Sequence, residues 1–150
     1  MRQKFILTAL MSILLSIPML KASEVNLKND EVKNKTEMSE ADKLVVVWTS
    51  GDKEVAMKMV FMYTYNAKKQ AWWDDVTLLV WGPSSKLLSE DKELQDYVKK
   101  MQDCGVFVIA CKACDDQYGV ANKLTDLGIT VKYAGQDLTK FIKERKVVTF

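Results

Sequence analysis

Three near-continuous apolar runs, at residues 44–48, 76–81 and 106–110, constrain this chain more than any other feature. They carry Val, Leu, Ile and Trp with almost no polar alternation, the pattern of strands buried on both faces. Shorter runs at 129–133 and 147–150 read as two further strands nearer the sheet edges. Helical patterns separate the runs. Strands alternating with helices predict an α/β domain, a mainly parallel five-stranded sheet joined by right-handed crossovers.

The helices show in the spacing. Leu94, Tyr97, Val98 and Met101 follow a helical stripe, with Ser89 as the expected N-cap and Gly105 just past the end. Val120, Leu124 and Leu127 form a second stripe, closed by Gly128. Asp137 is expected to cap a short helix carrying Leu138, Phe141 and Ile142. The first helix, about 53–68, differs: Val55, Ala56, Met57, Met59, Val60, Phe61, Met62, Tyr63 and Tyr65 leave little polar face. A helix that is apolar all round is buried all round. In a domain of this size one face meets the sheet and the other meets a second copy, so a homo-oligomer is expected; the competing arrangement covers the helix with the chain's own N-terminal segment. Trp72 and Trp73, which follow, read as packing or interface residues.

Residues 1–22 have the order of a secretory signal: basic Arg2 and Lys4, an apolar stretch from Phe5 to Met19, and a small residue, Ala22, before the expected cut at Ala22/Ser23. The chain is therefore expected to be exported, periplasmic or secreted, with no membrane association after signal removal. Removal of Arg2, Lys4 and Lys21 takes the net charge from +2 to −1, and no Lys/Arg cluster remains that points to nucleic acid. Residues 23–42 are rich in Asn, Lys and Glu without a sustained period and read as a flexible linker. Asn34-Lys35-Thr36 within it is a glycosylation sequon, relevant only in a eukaryotic secretory pathway. The folded domain is residues 43–150.

There is no histidine, which removes Ser-His-Asp triads, Cys-His nucleophile pairs and imidazole ligands. Thiol chemistry stands out instead. The third apolar run ends at Cys111, and Cys114 follows where a helix begins. Helix dipole and Lys112 favour a thiolate there, while Asp115 and Asp116 oppose it. Cys111 is the candidate nucleophile and Cys114 a possible resolving thiol; Cys104, before a helix-ending glycine, reads as structural. Two thiols fall short of the four ligands of a structural zinc, so no metal is expected. The loops after the first three strands, containing Ser50 and Gly51, Gly82 and Ser84, and Cys111 and Lys112, are expected to converge as a substrate-binding crevice. Neither of the first two has the pattern of a nucleotide-binding loop, and no cofactor is expected. A thioredoxin-type motif, a cysteine pair that merely stabilises, and a reactive thiol all remain open on these residues.

The strand Leu-Val-Val-Val-Trp followed by Thr49-Ser50-Gly51, the run into Gly82, Gly105 leading to Cys111, Tyr118-Gly119-Val120, and the ending Val147-Val148-Thr149-Phe150 occur in a particular order. With that order, residues 43–150 resemble the DsrE/DsrF-like family, which includes the YchN-like and TusD-like sulfur-relay proteins. The resemblance implies a three-layer α/β/α domain and homo-oligomers, commonly trimers or hexamers. It also implies that Cys111, matching a persulfide-carrying cysteine at the end of the third strand, accepts sulfur from a donor and passes it to an acceptor protein or small thiol. Two departures stand out: Cys114 lies where many relay members lack a cysteine, and Tyr118 stands where the family often has arginine. The expected function is an exported, sulfurtransferase-like sulfur carrier. The alternative is a non-catalytic oligomeric protein that binds a small ligand or partner, with a structural cysteine pair.

Overall fold

The structure is a computed structural model describing residues 42–150. The expected signal peptide and the linker up to residue 41 lie outside the described residues. Five strands form one parallel sheet: β1 (Lys43–Trp48), β2 (Asp75–Val80), β3 (Phe107–Cys111), β4 (Thr130–Lys132) and β5 (Lys146–Thr149), in the order β4-β3-β2-β1-β5. The long runs of the sequence occupy the centre and the short ones the edges, as their lengths predict. β1 and β2 are buried along nearly their whole length.

Helices fill both faces. α1 is continuous from Lys53–Val55 through a π-helical stretch, Ala56–Phe61, into Met62–Lys69. α2 (Pro83–Glu90), α3 (Lys92–Asp103), α4 (Lys112–Tyr118) and α5 (Ala121–Asp126) follow, and α6 (Gly135–Glu144) comes last. Leu44, Val46, Leu78, Val80 and Val108 pack with Val60, Phe61, Leu88, Leu94, Val98, Met101 and Leu124, so α1, α2, α3 and α5 share one face. Val45, Val47, Leu79, Ile109 and Cys111 pack with Ala134 and Phe141, which places α6 on the other. This is the three-layer α/β/α arrangement. Among the described residues no helix is long and apolar enough to cross a membrane.

Three local features differ from expectation. Residues 83–90 form a helix, so Ser84, expected in a loop, is helical. Pro83 suits the first helical position, but the buried face includes Ser84, Ser85 and Ser89, so hydropathy shows no stripe. The cap of α3 is Asp91, whose carboxylate accepts from the Leu94 N–H at 3.1 Å; Ser89 instead donates back to the Lys86 carbonyl. Asp137 does not cap α6 but pairs with Lys132 at 2.9 Å.

The π stretch shapes α1. Ala56, Val60 and Phe61 turn inward at spacings of four and five, as the wider π turn brings together. Phe61 packs edge-on against Trp48 with ring centroids 4.9 Å apart, and it touches Tyr97 at 5.4 Å. This aromatic contact joins β1, α1 and α3. Phe61→Ala is expected to cost about 3–5 kcal/mol, measured as a lower urea midpoint with an unchanged slope.

Candidate functional site

α1, α2, α3 and α5 lie on one face and α6 on the other, so the connections leaving β3 and β4 diverge. A crevice opens between two such strand ends, outside their carboxyl termini. Cys111 is the last residue of β3, opposite Lys132 of β4, and α4 starts at the next residue. Its side chain is 3% exposed. Beside it lies a cavity of ≈ 450 Å³ lined by Trp81, Cys111, Ala113, Tyr133, Ala134, Gly135 and Gln136.

Cys114 sits in the first turn of α4, half-buried, with its thiol against Cys111; both thiols are free, as is Cys104. Burial pushes the Cys114 thiol above its ordinary value, and its contact with Cys111 and the charge of Asp115 act in the same direction. A hydrogen bond from the Gly82 N–H opposes them by favouring the thiolate. Cys114 is thus held protonated at neutral pH. Cys104 donates to the Met101 carbonyl at 3.2 Å, away from this site at the end of α3.

The neighbouring charges are occupied or buried. The Lys112 ammonium meets both Asp116 carboxylate oxygens at 2.7 Å and lies 5.7 Å from the Tyr133 ring centre. Asp115 turns inward and is fully buried; neither carboxylate oxygen, nor the Ser85 hydroxyl near it, makes a well-formed hydrogen bond. Burial pushes the Asp115 carboxyl up, and Ser85 pulls it partly back.

The loops expected to form the crevice take different parts. Gly82, at φ 74°, adopts a left-handed turn that suits glycine and directs its N–H to Cys114. Ser84 is buried; its hydroxyl donates to the Trp48 carbonyl at 2.6 Å and accepts from the Trp81 N–H at 3.0 Å, joining the ends of β1 and β2. Gly51 stands where a Cβ would meet Pro83 Cβ at 3.2 Å, so the first two loops touch there. Ser50 accepts from the Asp52 N–H at 3.1 Å and helps form the start of α1. Gly82, Cys111 and Cys114 therefore come together, with Lys112 at the rim, Ser84 beneath and Ser50 apart. The loop after β4 supplies Tyr133 and Ala134, and the start of α6 supplies Gly135 and Gln136; none of the four was among the expected site residues. A signal for it existed: the apolar run ending at Tyr133 is followed by Ala-Gly and a new helical stripe.

Among the described residues, no group of three or more Cys, Asp or Glu side chains converges as a metal site. No protein-family model matches the chain, and a search of curated proteins finds no match. Among solved structures, the conserved protein of unknown function BT1422 from Bacteroides thetaiotaomicron is 36% identical, with a TM-score of 0.71 over 73% of this chain and 95% of that one. The ychN protein from E. coli shares the fold at a TM-score of 0.59 and 17% identity, over 73% of this chain and 99% of that one. The chain belongs to one family with BT1422 and has the YchN-like fold.

Within this family fold, Asp115 carries a specific cost. Its unfolded carboxyl titrates near the ordinary value of 3.8 and its folded carboxyl higher. As pH rises, the unfolded chain releases this proton first, so the contribution to stability falls from that pH upward until the folded group has also ionised. Asp115→Asn should raise stability at pH 7 by about 1 kcal/mol or more and flatten this part of the fall. Urea titrations of both proteins from pH 4 to pH 8 measure the difference.

Proposed function

We propose that this protein is an exported sulfur carrier that holds a persulfide on Cys111. The observation that supports the reading is the placement of Cys111: a buried thiol at the end of β3 that lines a cavity and touches a second thiol. The Cys111 thiolate attacks the outer sulfur of a sulfane donor, R–S–SH. The donor S–S bond breaks, R–S⁻ leaves with the electron pair, and Cys111 becomes Cys–S–SH. Delivery transfers that outer sulfur to an acceptor thiol. In the absence of an acceptor, the Cys114 thiolate attacks Cys111 Sγ and expels hydrosulfide, leaving a Cys111–Cys114 disulfide that a dithiol reductant reopens.

The raised Cys114 thiol gives this scheme its pH dependence. At neutral pH the resolving nucleophile is protonated, so the persulfide persists. Sulfide release should accelerate about tenfold per pH unit while pH stays below the Cys114 value. Cys114→Ser should load normally and release no sulfide; Cys111→Ser should not load. Intact mass after incubation with a sulfane donor, with mapping of the added sulfur, checks both. Retained function after replacement of both cysteines by serine would favour the ligand-binding alternative.

The protein also self-associates in this reading, as a trimer or hexamer. Met59, Met62, Tyr63, Trp72, Val148 and Phe150 line an apolar groove of ≈ 470 Å³ on α1 and the β5 edge. Trp72 is 58% exposed, and so extensive an apolar surface is rare on a monomer. Met62→Lys with Trp72→Glu should yield a monomer in analytical ultracentrifugation.

A further inference from the structure

The cavity beside Cys111 bears on which donor can reach it. Cys111 is 3% exposed, and the cavity adjoins its thiol. A thiol so enclosed is met more readily by a small molecule that enters the cavity than by a persulfide fixed on the folded surface of another protein. The volume, ≈ 450 Å³, instead falls within the range of small-molecule sites.

The walls narrow the class. Trp81 and Tyr133 give aromatic surface, and Tyr133 remains 68% exposed. The exposed Tyr133 ring and the half-buried Trp81 beside a buried nucleophile offer stacking and apolar contact to an incoming group. None of the lining residues carries a charged side chain, so no carboxylate repels an anion. Gly135 and Gln136 open the ten-residue helix α6, and the first amides of a helix have no acceptor within it. They therefore offer N–H groups at the cavity wall, offsetting repulsion between a thiolate and an anionic donor. The loops expected to form the substrate crevice are otherwise engaged: Gly82 lies against Cys114, and Ser84 joins two strand ends.

The geometry points to a small anionic sulfane-sulfur compound as the direct donor, seated between Trp81 and Tyr133 with its terminal sulfur against Cys111. This inference rests on the persulfide reading above. Two donor types share the chemistry. From a low-molecular-weight hydropersulfide, Cys111 takes the outer sulfur and a thiolate leaves with the electron pair. From thiosulfate it takes the sulfane sulfur and sulfite leaves with the pair. No external oxidant or reductant enters either step.

The test compares initial rates of sulfur loading on Cys111, by alkylation and intact mass, in the wild-type full chain, Ala113→Phe and Tyr133→Ala. Ala113 and Tyr133 are exposed, so neither change disturbs the core. The donors are thiosulfate, glutathione hydropersulfide and a folded protein bearing one surface persulfide. Wild-type loading should be at least tenfold faster from one of the small donors than from the protein. Ala113→Phe, which places a ring at the cavity wall, should slow that loading tenfold or more, and Tyr133→Ala should raise the donor concentration for half-maximal rate several-fold. Release of sulfite or of glutathione identifies which small donor serves. Equal or faster loading from the folded protein, or small-donor rates unchanged in both variants, would overturn the inference while leaving Cys111 a sulfur carrier. No loading of Cys111 from any donor would overturn the carrier reading and this inference together.

Discussion

Parallel pairing of β1, β2 and β3, sealed on both faces, is the constraint on which the molecule depends. A parallel ladder satisfies its backbone groups only if neighbours and covering helices exclude water throughout. Most of the connecting helices lie on one face, leaving the other to α6. One connection must therefore change sides, and it does so after β4. The chemical site lies where the connections part, at the carboxyl ends of β3 and β4. Its position follows from how the sheet is covered.

The strand ends are held firmly there. Ser84 joins the Trp48 carbonyl to the Trp81 amide, and Thr49 donates to the Phe150 carbonyl. A thiol on such a frame is fixed by backbone, which favours repeatable approach of a reactant. The electrostatics differ from those of a thiolate site activated by a helix start. α4 is only seven residues long. Asp116 occupies Lys112, and Asp115 is buried, so desolvation governs Cys114 and favours its neutral form. In the proposed carrier, such a pair suits keeping sulfur bound over rapid disulfide exchange.

Much of the architecture is legible from local pattern. The runs at 44–48 and 76–81 announce central strands because full burial demands unbroken apolar character. The stripe Leu94, Val98, Met101 announces a helix because its period matches one face. α2 escapes this reading because its buried positions include Ser84, Ser85 and Ser89, which carry no hydrophobic period. The π stretch of α1 is hidden likewise, since a helix apolar on every side has no phase to shift.

The sequence by itself determined the strands, the parallel sheet and the placement of Cys111 at a strand end with Cys114 one turn on, because these depend on composition and spacing along the chain. Tertiary structure alone decided what surrounds them. Tyr133, Gly135 and Gln136 reach Cys111 only because β4 pairs with β3 and α6 crosses to the opposite face. Asp115 is unpartnered and Lys112 is engaged only because helix packing buries one acid and exposes the other. Burial and charge at a site are sums over residues far apart in sequence, and no local pattern records them.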